Sequence, residues 1–206
     1  MTHRIDIPAG RLQAWLADFS HTHGGAVVAG ACVSGADGAT ARLDAWFDLR
    51  AAQDVDTLIA LAAPPQRLGI IAVRRGGYAV ACTDGAQVMA SKVGRRHIHS
   101  RTAAGGWSQQ RYARRRQNQA QDLIGAVADH AVKILREGSV DGVVCGGDRR
   151  LVSSVLDERQ LAWLARLPSR DLYDLPDPSP SVLRTAIRRA RSVRIDVAET
   201  SAGAHP

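Results

Sequence analysis

Residues 101–119, RTAAGGWSQQRYARRRQNQ, concentrate groups able to bind and orient a ligand: five arginines, four glutamines, the Gly105-Gly106 pair and Trp107, with no acidic residue among them. Trp107 and Tyr112 are the only large apolar side chains, too few to build a buried face, so the stretch faces water or a partner. A glycine pair lets the main chain approach a ligand closely, so Gly105 and Gly106 can present peptide N–H groups to an anion; a merely flexible loop has the same composition. Gln109 and Gln110 do not titrate, so neither is a general base. A glutamine amide orients a water or stabilises charge through hydrogen bonds, and any proton transfer must come from elsewhere. GGWSQQ has neither the GxGxxG spacing nor the lysine of GxxxxGK[ST], which disfavours nucleotide hydrolysis.

The charge pattern narrows the ligand. Residues 92–116 hold Lys92, Arg95, Arg96, Arg101, Arg111, Arg114, Arg115 and Arg116 with no Asp or Glu, while the rest of the chain carries 19 basic against 20 acidic residues. The net charge of +7 is therefore local, and a basic patch on a neutral body is the electrostatic footprint of a nucleic-acid binder. Of the 27 basic residues 25 are arginine, whose planar fork contacts phosphate with two hydrogen bonds. The bland alternatives are a solvated face, an acidic protein partner or a membrane surface.

His97 and His99 alternate on one face of an expected strand over 95–101; beside arginines they can contact phosphates or run acid–base cleavage of RNA. Metal-dependent phosphodiester chemistry needs several convergent carboxylates, and Asp44, Asp48, Asp141 and Asp148 form no evident cluster, so neither a metal nor another cofactor is expected. Cys32, Cys82 and Cys145 sit in small apolar runs with no CxxC spacing, the pattern of buried strand cysteines.

The elements that must position these residues are legible as periodicities. Helices are expected at 11–20, 55–63, 118–136, 149–157 and 158–166, and after a cap at Ser181; strands at 26–33, 41–49, 67–74, 78–83, 86–91 and 141–147, an edge strand around Leu172 to Leu175, and a closing strand RSVRIDV. At 206 residues the default is one core. The order predicts an α+β fold, a mixed β-sheet with flanking helices, in which residues 1–66 add a helix and strands integral to the core, 67–197 form the main domain, and 198–206 are a disordered tail. No apolar run approaches the roughly 18 residues of a membrane span, and the N-terminus lacks a secretory h-region, so a cytoplasmic protein is expected, taken as a monomer.

Taken together, the Gly-x-x-Gln of Gly106-Trp107-Ser108-Gln109, the His/Arg-rich strand before it and the arginine/glutamine-rich entry to a long helix after it resemble the Vms-like release-factor family. These are ribosome-quality-control relatives of the catalytic domain of eukaryotic and archaeal peptide release factors. The resemblance runs from about Arg67 to Val197, includes the glycine-ended strand GVVCGG, and points to the family's bacterial branch. It implies an RNase H-like mixed sheet carrying a long flexible glycine-glutamine loop that releases nascent chains from peptidyl-tRNA. Gln109 would then be the catalytic residue, served by Gly105 and Gly106, with Gln110 one step away as the alternative.

The sequence departs from the Gly-Gly-Gln of termination factors, since Trp107 and Ser108 intervene. In this reading Lys92, Arg95, Arg96, His97, His99, Arg101, Arg111, Arg114, Arg115 and Arg116 meet the phosphates of tRNA and large-subunit rRNA, and Trp107 or Tyr112 can stack on a base. The loop is expected to order on RNA. Nothing in the chain resembles a stop-codon reader, which implies rescue of stalled chains on ribosomes or large subunits. The rivals are a tRNA-cleaving ribonuclease, an activity linked to some members of the family, and a non-catalytic ribosome- or RNA-binding module.

Overall fold

A computed structural model of the chain describes residues 2–95 and 108–199, with backbone alone at 108–113 and 115–116. The order of elements is β1 (Thr2–Pro8), a 3-10 turn (Ala9–Arg11), α1 (Leu12–Thr22), β2 (Ala26–Ala29), β3 (Cys32–Gly35), β4 (Thr40–Asp44), α2 (Val55–Ala62), β5 (Arg67–Arg74), β6 (Gly77–Asp84), β7 (Gln87–Arg95), α3 (Ser108–Glu137), β8 (Gly142–Gly147), α4 (Arg149–Leu156), a 3-10 helix (Arg159–Arg166), β9 (Ser169–Leu172), α5 (Pro180–Ala190) and β10 (Ser192–Ala198). The fold is α+β, as expected, but the strands divide into two five-stranded sheets instead of one, and the chain into two compact units.

The first unit comprises residues 1–64 and 188–206. Its sheet is antiparallel throughout, in the order β1-β10-β4-β3-β2. Leu12, Leu16 and Phe19 of α1 and Leu58 of α2 pack with Val33, Leu43, Val193 and Ile195 of the sheet in one core. The closing strand RSVRIDV thus joins this sheet, between β1 and β4, and not the sheet that follows residue 67. Its apolar alternation matches either sheet; only the pairing partners distinguish them.

Local chemistry accounts for other departures. The run 26–33 is a hairpin, β2 and β3, because Gly30 turns the chain at φ +62, a conformation that favours glycine. The strand expected over 41–49 ends at Asp44. Beyond it Trp46 turns inward and donates Nε1–H to the Ala190 carbonyl at 2.6 Å, leaving Phe47 exposed. α2 begins on a capping box in which the Asp54 carboxylate accepts the Thr57 N–H at 2.7 Å.

The second unit, residues 65–187, holds a mixed sheet in the order β7-β6-β5-β8-β9. β5 pairs antiparallel with β6 and parallel with β8, and β9 continues parallel beyond β8. Positions 68–73 of β5 and all of β8 are buried, the pattern of strands covered on both faces. Leu123, Val127, Ala131 and Leu135 of α3 pack on Ile71, Val80 and Val143, joined by Val152 and Val155 of α4.

The helix expected to start near 118 starts at Ser108. Its apolar stripe begins only at Leu123, so periodicity is blind to the preceding turns, although Gln, Arg and Ala are good helix formers. The segment 158–166 is a 3-10 helix, the edge strand lies at Ser169–Leu172, and the cap of α5 is Ser179, whose hydroxyl accepts the Val182 N–H at 3.2 Å, in place of Ser181.

Candidate functional site

The direction of the strands decides what the basic segment leaves from. β5, β7, β8 and β9 run the same way, β6 against them, so the C-terminal ends of four strands share one end of the second sheet. Lys92 and Arg95 are exposed on β7, where Lys92 pairs with Val80 and Arg95 with Gly77. The chain returns as α3 at Ser108 and runs back along the sheet. Arg96, His97, His99, Arg101, Gly105, Gly106 and Trp107 lie outside the described residues, as does the rest of the strand expected over 95–101.

α3 has two parts. From Leu123 onward it is anchored, with Leu123, Ile124, Val127, Ala128, Ala131 and Leu135 buried. Before Leu123 no described side chain is buried: Arg114, Gln117, Asn118, Gln121 and Asp122 are exposed and Gln119 and Ala120 partly so. Fifteen residues at about 1.5 Å rise carry the helix roughly 22 Å past its last anchor. Gln109 and Gln110 belong to the first turn of this projecting part and Arg111, Tyr112, Arg115 and Arg116 follow on its helical backbone, with Arg114 as the exposed cation whose side chain is described.

The join between strand and helix is tight. Tyr78 on β6 lies opposite Gly94 on β7 and stacks on His130 of α3, ring centroids 5.7 Å apart at 22°. Gly94 is required there, since a Cβ would come within 2.5 Å of the Tyr78 Cζ. One ring thus ties the residue before Arg95 to the helix that leaves the basic segment.

The same end of the sheet carries cations that reading the sequence missed. Arg74 and Arg75 close β5, and Arg149 and Arg150 follow β8; Arg75, Arg149 and Arg150 are exposed. A legible signal existed, an arginine doublet beside a glycine pair after an apolar strand, in VRRGG and CGGDRR. The Arg149 guanidinium lies 4.4 Å from the Tyr173 ring centroid, a cation–π contact. Burial, then the neighbouring Cys145 and Asp171, push the Tyr173 phenol up to about 12, so it stays protonated at neutral pH. Asp148 is committed to capping α4, accepting the Arg150 and Leu151 N–H groups at 2.9 and 3.2 Å.

The carboxylates weighed for metal chemistry are dispersed. Asp44 faces Arg194 at 3.4 Å and Asp48 pairs with Arg50, both in the first unit, while Asp141 accepts the Arg67 N–H at 3.0 Å at the opposite end of the second sheet from Asp148. Among the described residues no group of three or more His, Cys, Asp or Glu could hold a metal ion. Cys82 and Cys145 are buried strand residues and Cys32 is half-buried; none forms a disulfide. Among the described residues no helix is long and apolar enough to cross a membrane. This end of the sheet therefore offers cations, stacking and hydrogen-bond donors, which is the chemistry of anion recognition.

Comparison with curated proteins yields no match. Among solved structures the chain is similar to an archaeal protein described only as such, at 10% identity and a TM-score of 0.35, covering 92% of this chain and 66% of that one. It is also similar to the archaeal translation termination factor aRF1, at 13% identity and a TM-score of 0.34, covering 77% of this chain and 50% of that one. The chain thus spans less than two thirds of the length of either structure. Residues 66–196, a span that takes in the whole basic segment, match the family described as the Actinobacteria/chloroflexi VLRF1 release factor, and the chain belongs to that family.

Proposed function

We propose that the protein is a release-factor-like peptidyl-tRNA hydrolase that frees nascent chains from peptidyl-tRNA on stalled ribosomes or large subunits. The observation that carries this reading is the match of residues 66–196 to a release-factor family, a span that includes the Gly-x-x-Gln of residues 106–109 and the projecting start of α3. The catalytic domain is proposed as residues 67–197, which take all of the second unit's sheet and α5 together with β10 of the first unit. The partners are peptidyl-tRNA and large-subunit rRNA, met by Lys92, Arg95, Arg114 and the other basic residues of the segment. The work is done by a monomer in the cytoplasm.

Gln109 is the proposed catalytic residue. A glutamine amide cannot remove a proton at neutral pH, so it acts by position: its carbonyl accepts a hydrogen bond from the attacking water and its N–H groups donate to the reacting ester. Backbone N–H groups at Gly105 and Gly106 would stabilise the oxyanion that forms as water adds to the ester carbon; the intermediate then breaks the bond to the 3′ oxygen of the tRNA, which leaves carrying the proton that water gave up. Arginines with no acid among them suit this task, because a carboxylate there would repel the phosphates the segment must approach.

Purified protein incubated with peptidyl-tRNA, free and on large subunits, tests the reading. Free peptide with intact tRNA is the expected product. A shortened tRNA would assign His97 and His99 a nuclease role instead, and binding without turnover would make the chain an RNA-binding module. Gln109→Ala is expected to lower release by about 10²–10³ with RNA affinity retained. Full activity in Gln109→Ala together with loss in Gln110→Ala would move the role to the neighbouring glutamine.

A further inference from the structure

Four arginines that lie outside the 92–116 segment stand around its exit. Gly77 pairs with Arg95 on one side and with Arg74 on the other, and Val73 pairs with Gly147, two residues before Arg149. Neighbouring strands lie about 4.8 Å apart, so Arg95, Arg74 and the start of α4 form a row across β7, β6, β5 and β8 roughly 15 Å wide. Arg75 and Arg150 stand one residue further out along the chain at the same end.

Arg95 and Arg74 stand two strand spacings, about 10 Å, apart, comparable to the Debye length at physiological salt, so their like charges are only partly screened from one another. Among the described residues Arg75, Arg95, Arg149 and Arg150 have no carboxylate partner, in contrast to Arg4, Arg50 and Arg67, which pair with Asp196, Asp48 and Asp84. Arg74 keeps a buried Nε–H with no acceptor among the described residues. Acids also stand at this end: Asp148 caps α4, Asp171 lies beside Tyr173, and the Asp177 carboxylate lies against Gly76, so the arginines outnumber the acids without being free of them. Arg149 packs over the Tyr173 ring, a contact that holds its guanidinium without neutralising it.

We infer that Arg74, Arg75, Arg95, Arg149 and Arg150 form a rigid RNA-docking plate at the C-terminal end of the second sheet, which grips backbone phosphates and so sets the position from which the 96–107 segment and the start of α3 reach their target. RNA is the partner that fits, because the row lacks apolar side chains and consists of arginines, whose forks match phosphate, and because the chain's other cations flank it in sequence. The inference rests on the release-factor reading for its purpose, not for its chemistry. tRNA and rRNA present the same phosphates, and the test separates them.

The double variant Arg75→Glu/Arg150→Glu reverses two exposed members of the plate. Arg159→Glu/Arg166→Glu makes the same charge change at exposed residues of the 3-10 helix, which leads into the N-terminal end of β9 and so lies at the opposite end of the sheet. Binding is measured to deacylated tRNA and to purified large subunits between about 50 and 200 mM salt, with circular dichroism of each variant as the folding control. The plate variant is expected to lose at least about tenfold in affinity for one or both RNAs and to flatten the dependence of log affinity on log salt by about 1.5, while the control variant changes little. Loss with tRNA alone places tRNA on the plate, and loss with subunits alone places rRNA there.

Unchanged binding to both RNAs, or an equal loss in the control variant, overturns the inference. Arg75→Lys/Arg150→Lys keeps the charge and should retain most of the affinity, so a full loss in it would also count against a phosphate contact. Peptide release by the unmodified protein is scored in parallel. If it releases no peptide yet binds RNA through the plate, the hydrolase reading fails and the plate stands; if it releases peptide and the plate variant binds normally, the plate alone fails.

Discussion

Replacing Gly94 by alanine tests whether one aromatic ring joins β7 to α3. The added methyl would lie 2.5 Å from the Tyr78 Cζ and 2.7 Å from its hydroxyl oxygen, well inside the roughly 3.5–4 Å of optimal contact. Tyr78 has little room to yield, being 4% exposed and stacked on His130. Overpacking of this kind costs about 1–3 kcal/mol, against the roughly 0.5–1 kcal/mol that alanine gains over glycine within a strand. The net expectation is a loss of about 1–2 kcal/mol. Native-state hydrogen exchange of the β6 amides reads this directly, since about 1.4 kcal/mol speeds exchange through opening tenfold.

The cycle is closed by repeating Gly94→Ala in a Tyr78→Ala background. With the ring absent the clash is gone, and the substitution should be neutral or slightly stabilising, giving a coupling of about 1–3 kcal/mol. Equal acceleration in both backgrounds, or none in either, would refute the claim that the glycine exists to admit the ring.

Three further outcomes are expected. Asp148→Ala removes the acceptor for the Arg150 and Leu151 N–H groups, so α4 and the unit that contains it should lose about 1 kcal/mol, read from a urea midpoint, while Asp148→Asn retains most of it. Burial holds the Cys145 thiol up to about 12 and raises that of Cys82, so iodoacetamide on the native protein should modify half-buried Cys32 first and the other two only on unfolding, as peptide mass mapping would show. Asp196 is lowered by its hydrogen bond from Arg4 and Asp54 by the Thr57 N–H, so the stability they contribute is present above the ordinary carboxylate value of 3.8 and lost as pH falls through their lower native values. Acid unfolding followed by circular dichroism should accordingly be less steep below about pH 4 in Asp196→Asn.

Much of the chain was legible before any coordinates. Strand β5 was predicted at its observed bounds because a run such as LGIIAV flanked by turn signals has few alternatives. α2 and the anchored half of α3 followed from 3.6-residue apolar spacing, and the local charge of 92–116 followed from counting. Local chemistry misled where two answers satisfy the same pattern. Trp46 and Phe47 are both apolar, and the hydrogen bond to Ala190, 144 residues away, selects which one turns inward. Ser179 and Ser181 are both competent caps, and the position of Pro180 at the start of α5 selects the first.

What the sequence determined by itself is therefore what depends on neighbours along the chain: helical and strand periodicity, glycine turns, and a basic stretch free of carboxylates beside a Gly-x-x-Gln. What only the tertiary structure decided is what depends on pairing across the chain. It sent β10 to the first sheet, since a strand's alternation does not name its partners. It aligned β5, β7 and β8 in one direction, bringing Arg74, Arg95 and Arg149, distant in sequence, to one end of one sheet. Charge density is local and can be counted, whereas the surface on which charges converge is set by strand order and register, which long-range hydrogen bonds and core packing specify.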